Sequence, residues 1–150
     1  MKLPIVYSSY MGTFFQKCKL QIEGLAYVLP AETPELLSRG AILVDLREEL
    51  ETRITAFGLE KIIYMPYSCF EKCWQTLPEN QPLILADSVG LHSKEAMVFL
   101  MSKGYEDTAS LAGGFADWMK DGYPVKAGKY APLNGPCPCM IVPRERENNS

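Results

Sequence analysis

The chain is short of histidine, of positive charge and of long apolar runs, and each shortage removes a class of function. Its 150 residues include one histidine, His92, so any mechanism that needs an imidazole must run through the segment around it. Fifteen Lys+Arg stand against 18 Asp+Glu, a formal net charge of −3, which provides none of the basic footprint that nucleic acid or an anionic lipid surface demands. No uninterrupted apolar run approaches the roughly 18 residues of a membrane span. The opening stretch is broken by Tyr7, Ser8, Ser9, Tyr10 and Gly12 with no small-residue cleavage pattern behind it, so no secretory leader is expected. Five cysteines are an odd number, which excludes complete pairing within one chain and favours a reducing, cytoplasmic setting. Internal repeats are absent.

What is present is ordinary globular material: 47% apolar and 22% charged residues, at about the length of one domain. From Thr33 to Gly122 short apolar runs alternate with amphipathic segments, the rhythm of an α/β domain with a mostly parallel sheet and helices on both faces. Strands are predicted at 41–44, 61–65, 82–86 and 108–111. Thr33-Pro34-Glu35 reads as an N-cap and first turn. Further helices are predicted at 68–77, 93–103 and 115–121, the last two closed by Gly104 and Gly122. Trp74, Phe99, Phe115 and Trp118 fall at core positions. The expected division is an N-terminal extension at 1–29, the domain at 30–125, and a Pro/Gly-rich tail at 126–150 that carries Cys137-Pro138-Cys139.

The strand-to-helix junction Asp87-Ser88-Val89-Gly90-Leu91-His92-Ser93 is the informative stretch, and it resembles the active-site loop of the rhodanese family. That loop has the form Cys-x-x-Gly-x-Arg followed by a small residue. Gly90 and Ser93 match, Asp87 stands where the family has its cysteine, and His92 stands at the arginine. Val44-Asp45-Leu46-Arg47-Glu48, Met65-Pro66 and Gly113-Gly114-Phe115-Ala116-Asp117-Trp118 look like three further family motifs in the right order. The family's Gly-His-Ile-x-Gly-Ala is poorly kept around Phe57-Gly58-Leu59-Glu60 and lacks its histidine.

The resemblance implies a small single-domain sulfurtransferase fold whose loop turns backbone N–H groups inward at a helix start, forming an anion cradle. A cysteine there would carry a persulfide sulfur. A carboxylate, ionised at neutral pH, cannot take up that sulfur and repels anionic donors, so standard rhodanese catalysis is excluded at Asp87. An acyl-phosphate nucleophile at Asp87 lacks a nearby second carboxylate for a metal. Asp87, Ser88, His92 and Ser93 include triad residue types, but one tight turn cannot align them. His92 reads as a pH-dependent stand-in for the arginine, able to hold a ligand carboxylate or Asp87 itself. Arg47 is either a ligand-site residue at a strand's C-terminal end or one half of an ion pair with Asp45 or Glu48.

The leading expectation is therefore a catalytically inactive rhodanese-like module that binds or regulates through Asp87, Ser88, Val89, Gly90, Leu91, His92, Ser93 and Arg47. Its partner would be a protein or small molecule, with no cofactor, nucleic acid or membrane. The alternative is a sulfur-transfer or redox protein that uses the tail thiols Cys137 and Cys139. A third reading joins Cys69 and Cys73, four apart on one helix face, to Cys137 and Cys139 in a zinc site. Cys73 also fits the apolar stripe as a small hydrophobe.

Overall fold

The computed structural model describes residues 12–128. Six strands form the main sheet in the order β1 (Leu20–Ile22), β2 (Leu25–Val28), β7 (Thr108–Leu111), β6 (Leu83–Ala86), β3 (Ile42–Asp45) and β5 (Ile62–Tyr64). β1 and β2 are antiparallel, and every other neighbouring pair is parallel. β4 (Thr55–Phe57) pairs antiparallel with β8 (Val125–Ala127) in a separate ribbon. Five helices complete the fold: α1 (Thr33–Ser38), α2 (Glu49–Thr52), α3 (Tyr67–Cys73), α4 (Leu91–Ser102) and α5 (Gly114–Lys120).

The central strands are buried on both faces because alternate side chains feed two separate cores. Val44, Leu83 and Leu85 pack with Phe70 of α3 and with Met97 and Leu100 of α4. Leu43, Ile84 and Ala86 pack with Leu36 of α1 and with Phe115 and Trp118 of α5. This is the expected α/β architecture. Trp118 and Phe115 are buried as predicted, whereas Trp74 and Phe99 are half-buried and meet edge-to-face at 5.4 Å.

The folded unit extends past 30–125 on both sides. β2 joins the sheet beside β7, Phe15 is buried in the core, and β8 reaches Ala127. Short strands with little alternation give no periodicity to read, which is why the sequence left them unassigned. Thr33 is not an N-cap: a 3-10 turn at Pro30–Glu32 precedes it, and its buried hydroxyl donates to the Leu29 carbonyl at 3.1 Å. Glu32 takes the capping role, its carboxylate accepting the Leu29 N–H at 2.9 Å. The helix predicted over 68–77 ends at Cys73 and tightens into a 3-10 turn over Trp74–Thr76.

Candidate functional site

Parallel strands end together, so the loops after β3, β6 and β7 converge at one edge of the sheet, where open α/β sheets place their sites. β6 runs into Asp87, and α4 starts after Gly90, whose φ of +99° is one that a residue with a Cβ adopts only at a cost. The Asp87 side chain turns back into its own loop. Its carboxylate accepts the backbone N–H of Gly90 through Oδ1 and that of His92, at 2.6 Å, through Oδ2. Asp87 is only 4% exposed. The cradle of inward amides exists, and the loop's own anion fills it.

Two neighbours brace the loop. The N–H groups of Phe115 and Ala116 at the start of α5 donate to the carbonyls of Asp87 and Ser88, at 2.8 and 3.0 Å. That approach depends on Gly114, where a Cβ would lie 2.5 Å from the Asp87 oxygen and 2.7 Å from the Ser88 carbonyl carbon. Ser93, fully buried in the first turn of α4, shares a 2.7 Å hydrogen bond with Ser110 of β7. This is a structural role for a residue expected at the site.

The rim is acidic and partly apolar. The Ser88 hydroxyl donates to Glu51 at 2.7 Å, the Ser68 hydroxyl to Glu48 at 2.8 Å, and the Tyr67 hydroxyl to Glu95 at 2.8 Å. Burial and the Glu95 carboxylate push the Tyr67 phenol up to about 12. Val89 and Leu91 point outward, 56% and 71% exposed, and Leu50 is exposed beside Glu51. Residue types alone did not single out Glu48, Glu51, Tyr67 or Glu95, because loops distant in sequence bring them to the rim.

Two side chains expected to meet a ligand are committed elsewhere. The imidazole of His92 is exposed and stacks almost parallel on the Tyr67 ring, 4.2 Å between centres and 5° between planes. Its backbone N–H, not its ring, holds Asp87. Ser88 donates to Glu51 rather than to His92, so no triad is assembled. Arg47 is 5% exposed and grips Asp45 at 3.1 and 3.0 Å, with a third bond to the Thr55 carbonyl at 3.0 Å. Burial pushes the Asp45 carboxyl above its ordinary range, while Arg47 pulls against it. Of the two readings of Arg47, the ion pair with Asp45 is the one the structure contains.

The cysteines correct a second expectation. Cys69 and Cys73 are buried on α3, and both are disulfide-bonded, so neither is a thiolate available to zinc. Among the described residues no group of His, Cys, Asp and Glu is placed to hold a metal ion. Cys18 is a free thiol, raised to about 11 by burial and by Glu32. Cys137 and Cys139 lie outside the described residues. No described helix is long and apolar enough to cross a membrane.

No protein-family model matches the chain. It is similar to the thiosulfate sulfurtransferase GlpE of Haemophilus influenzae strain PittEE, with 26% identity over 98 residues covering 65% of this chain and 91% of that protein. The GlpE of Actinobacillus succinogenes is 28% identical over 100 residues, 63% of this chain and 87% of that one. Among solved structures, a rhodanese-related protein from Thermoplasma volcanium superposes with a TM-score of 0.60 at 24% identity, over 67% of this chain and 96% of that chain. A rhodanese-like domain protein from Staphylococcus aureus gives 0.57 at 17% identity, over 67% and 98%.

Proposed function

We propose that this chain, which is similar to thiosulfate sulfurtransferases in sequence and rhodanese-like in fold, does not transfer sulfur through its loop and instead uses the loop mouth as a binding or regulatory surface. One observation carries this reading. The amides of Gly90 and His92, which would face an anion on a cysteine at position 87, are taken by the Asp87 carboxylate. A carboxylate has no sulfur with which to form the sulfur–sulfur bond of a persulfide, and its charge opposes thiosulfate in the same cradle. Glu48, Glu51 and Glu95 around the mouth add to that opposition. With Leu50, Val89 and Leu91 exposed beside them, the surface suits a partner that presents apolar and basic groups.

The test is sulfur transfer from thiosulfate to cyanide by the purified chain. No thiocyanate above background is expected. Asp87→Cys combined with His92→Arg should acquire a cyanide-releasable sulfur after thiosulfate treatment, and each single change should do less, because one supplies the nucleophile and the other the grip on its anionic donor. Wild-type turnover that survives Asp87→Ala and vanishes on Cys137→Ser would overturn the proposal in favour of sulfur transfer by the tail thiols.

A further inference from the structure

Exposed apolar side chains gather at one place on this chain. Among the described residues seven large ones are exposed, and four of them, Leu50, Ile54, Val89 and Leu91, lie on two short stretches, at α2 and in the loop after β6. The two stretches touch, since the Ser88 hydroxyl donates to Glu51 at 2.7 Å. The turn of α2 stays helical through Arg53, so Leu50 and Ile54, four apart, lie on one side of it. Apolar side chains exposed singly need no explanation, but several on adjoining segments mark an interaction surface.

The charge at the same place has one sign. Over residues 48–54 and 87–95 five carboxylates, those of Glu48, Glu49, Glu51, Asp87 and Glu95, stand against the two cations Arg53 and Lys94. With His92 neutral that balance equals the −3 of the entire chain, so the remaining residues sum to zero. Among the described residues Glu48, Glu51 and Glu95 form no ion pair, and each accepts a hydrogen bond from a neutral hydroxyl instead. Their field is felt locally: burial pushes the Tyr67 phenol up to about 12, and Glu95, Glu71 and Asp87 add to it.

We propose that the face formed by α2 and the 88–91 loop docks a segment of a partner protein that carries leucine-like side chains flanked by lysine or arginine. The proposal rests on the loop mouth being a binding surface and names what binds there. Charge decides between occupants. A second copy docked about a two-fold axis would set Glu48, Glu51 and Glu95 against their own counterparts. The same carboxylates repel nucleic acid and an anionic membrane. A small organic cation would meet the charge and leave Leu50, Ile54, Val89 and Leu91 in water. A basic amphipathic segment meets both needs: its apolar side chains cover those four, and its cations reach carboxylates that still have lone pairs beyond the one given to a hydroxyl.

The full chain would be titrated with a fluorescently labelled helical peptide of leucine and lysine, followed by anisotropy, with the contact mapped on the methyl signals of the chain by NMR. The expected result is binding that weakens as salt rises, with the shifts at Leu50, Ile54, Val89 and Leu91. Glu48→Gln, Glu51→Gln and Glu95→Gln together keep an oxygen for each hydroxyl and remove the charge, and should raise Kd about tenfold. Glu23, Glu79 and Glu106 precede β2, β6 and β7 at the opposite edge of the sheet. Changed to glutamine, they alter the net charge equally and should leave Kd within about twofold of wild type. Leu50→Ser with Leu91→Ser should weaken binding several-fold, and a serine and lysine peptide of equal charge should bind more weakly than the leucine one. Equal losses in the two glutamine variants, or equal binding of the two peptides, would overturn the proposal. So would concentration-dependent shifts of the same methyls without peptide, which mark a second copy, or binding of the chain to vesicles of phosphatidylcholine and phosphatidylserine. No peptide binding in a chain that also forms no thiocyanate overturns this partner and leaves the inactive loop standing, whereas thiocyanate formed by the wild-type chain overturns that reading and this one with it.

Discussion

The guanidinium of Arg47 lies 3.9 Å from the centre of the Phe115 ring while both oxygens of Asp45 accept its N–H groups. Phe57 stands on the same cation at 5.5 Å. The contact fastens the end of β3 to the first turn of α5, the helix whose amides brace the Asp87 loop. A buried charge pair of this kind is expensive to break, because the surviving partner is left without solvent or counter-charge.

Arg47→Ala should therefore cost about 3–5 kcal/mol in urea denaturation. Arg47→Lys should recover only part of that, since an ammonium has neither the planar fork nor the flat face that lies on Phe115. A loss below about 1 kcal/mol for the alanine variant would mean that the pair is solvated like a surface bridge.

Gly114 and Gly104 make a controlled comparison. Both have positive φ, +65° and +99°, but a Cβ at Gly104 meets nothing within 4 Å, while at Gly114 it meets the Asp87 and Ser88 backbone. Gly104→Ala should cost about 1 kcal/mol from backbone strain alone. Gly114→Ala should exceed it by at least as much again and should speed amide exchange at Phe115 and Ala116, whose bonds hold the loop. Equal losses at the two positions would refute the close approach.

Ser93 and Ser110 are both buried and share a hydroxyl–hydroxyl hydrogen bond of 2.7 Å. Either serine changed to alanine should cost about 1–3 kcal/mol, because the remaining hydroxyl is stranded. The double change should cost less than the sum of the singles, measured by thermal or chemical unfolding. Strict additivity would show that the hydrogen bond contributes nothing.

Cys18 supplies a prediction in pH. Its thiol is raised from an ordinary 9.0 to about 11 by burial and by Glu32, so at pH 8 the thiolate fraction is about a hundredfold below that of an ordinary thiol. Alkylation of Cys18 in the native chain should be slower by about that factor and should climb tenfold per pH unit until about 11. For a raised thiol the native state holds its proton longer than the unfolded chain. The linked stability is thus complete below pH 9 and is lost as pH rises toward 11. A native rate equal to that in denaturant at pH 8 would contradict the assignment.

Much of the fold was legible in the order of residues. The apolar run at 83–86 reads as a strand buried on both faces, and the glycines at 90, 113 and 114 mark turns whose positive φ disfavours most side chains. The loop from Asp87 to Ser93 was recognisable for the same reason, because its chemistry and its backbone constraint lie within seven consecutive residues. The aspartate's incompatibility with a persulfide followed from its identity alone. Other features needed the tertiary structure. The rim carboxylates Glu48, Glu51 and Glu95 are ordinary surface residues until the ends of parallel strands bring their loops together. Arg47 could equally have faced a ligand or a partner carboxylate, and packing against Phe115 decided it. The assignment of His92 to Tyr67 was likewise beyond the sequence, since an imidazole's partner is set by whichever side chain the fold places within reach, here one 25 positions earlier in the chain. Local backbone chemistry is written in neighbouring residues; which side chains meet across loops is decided only when the sheet closes.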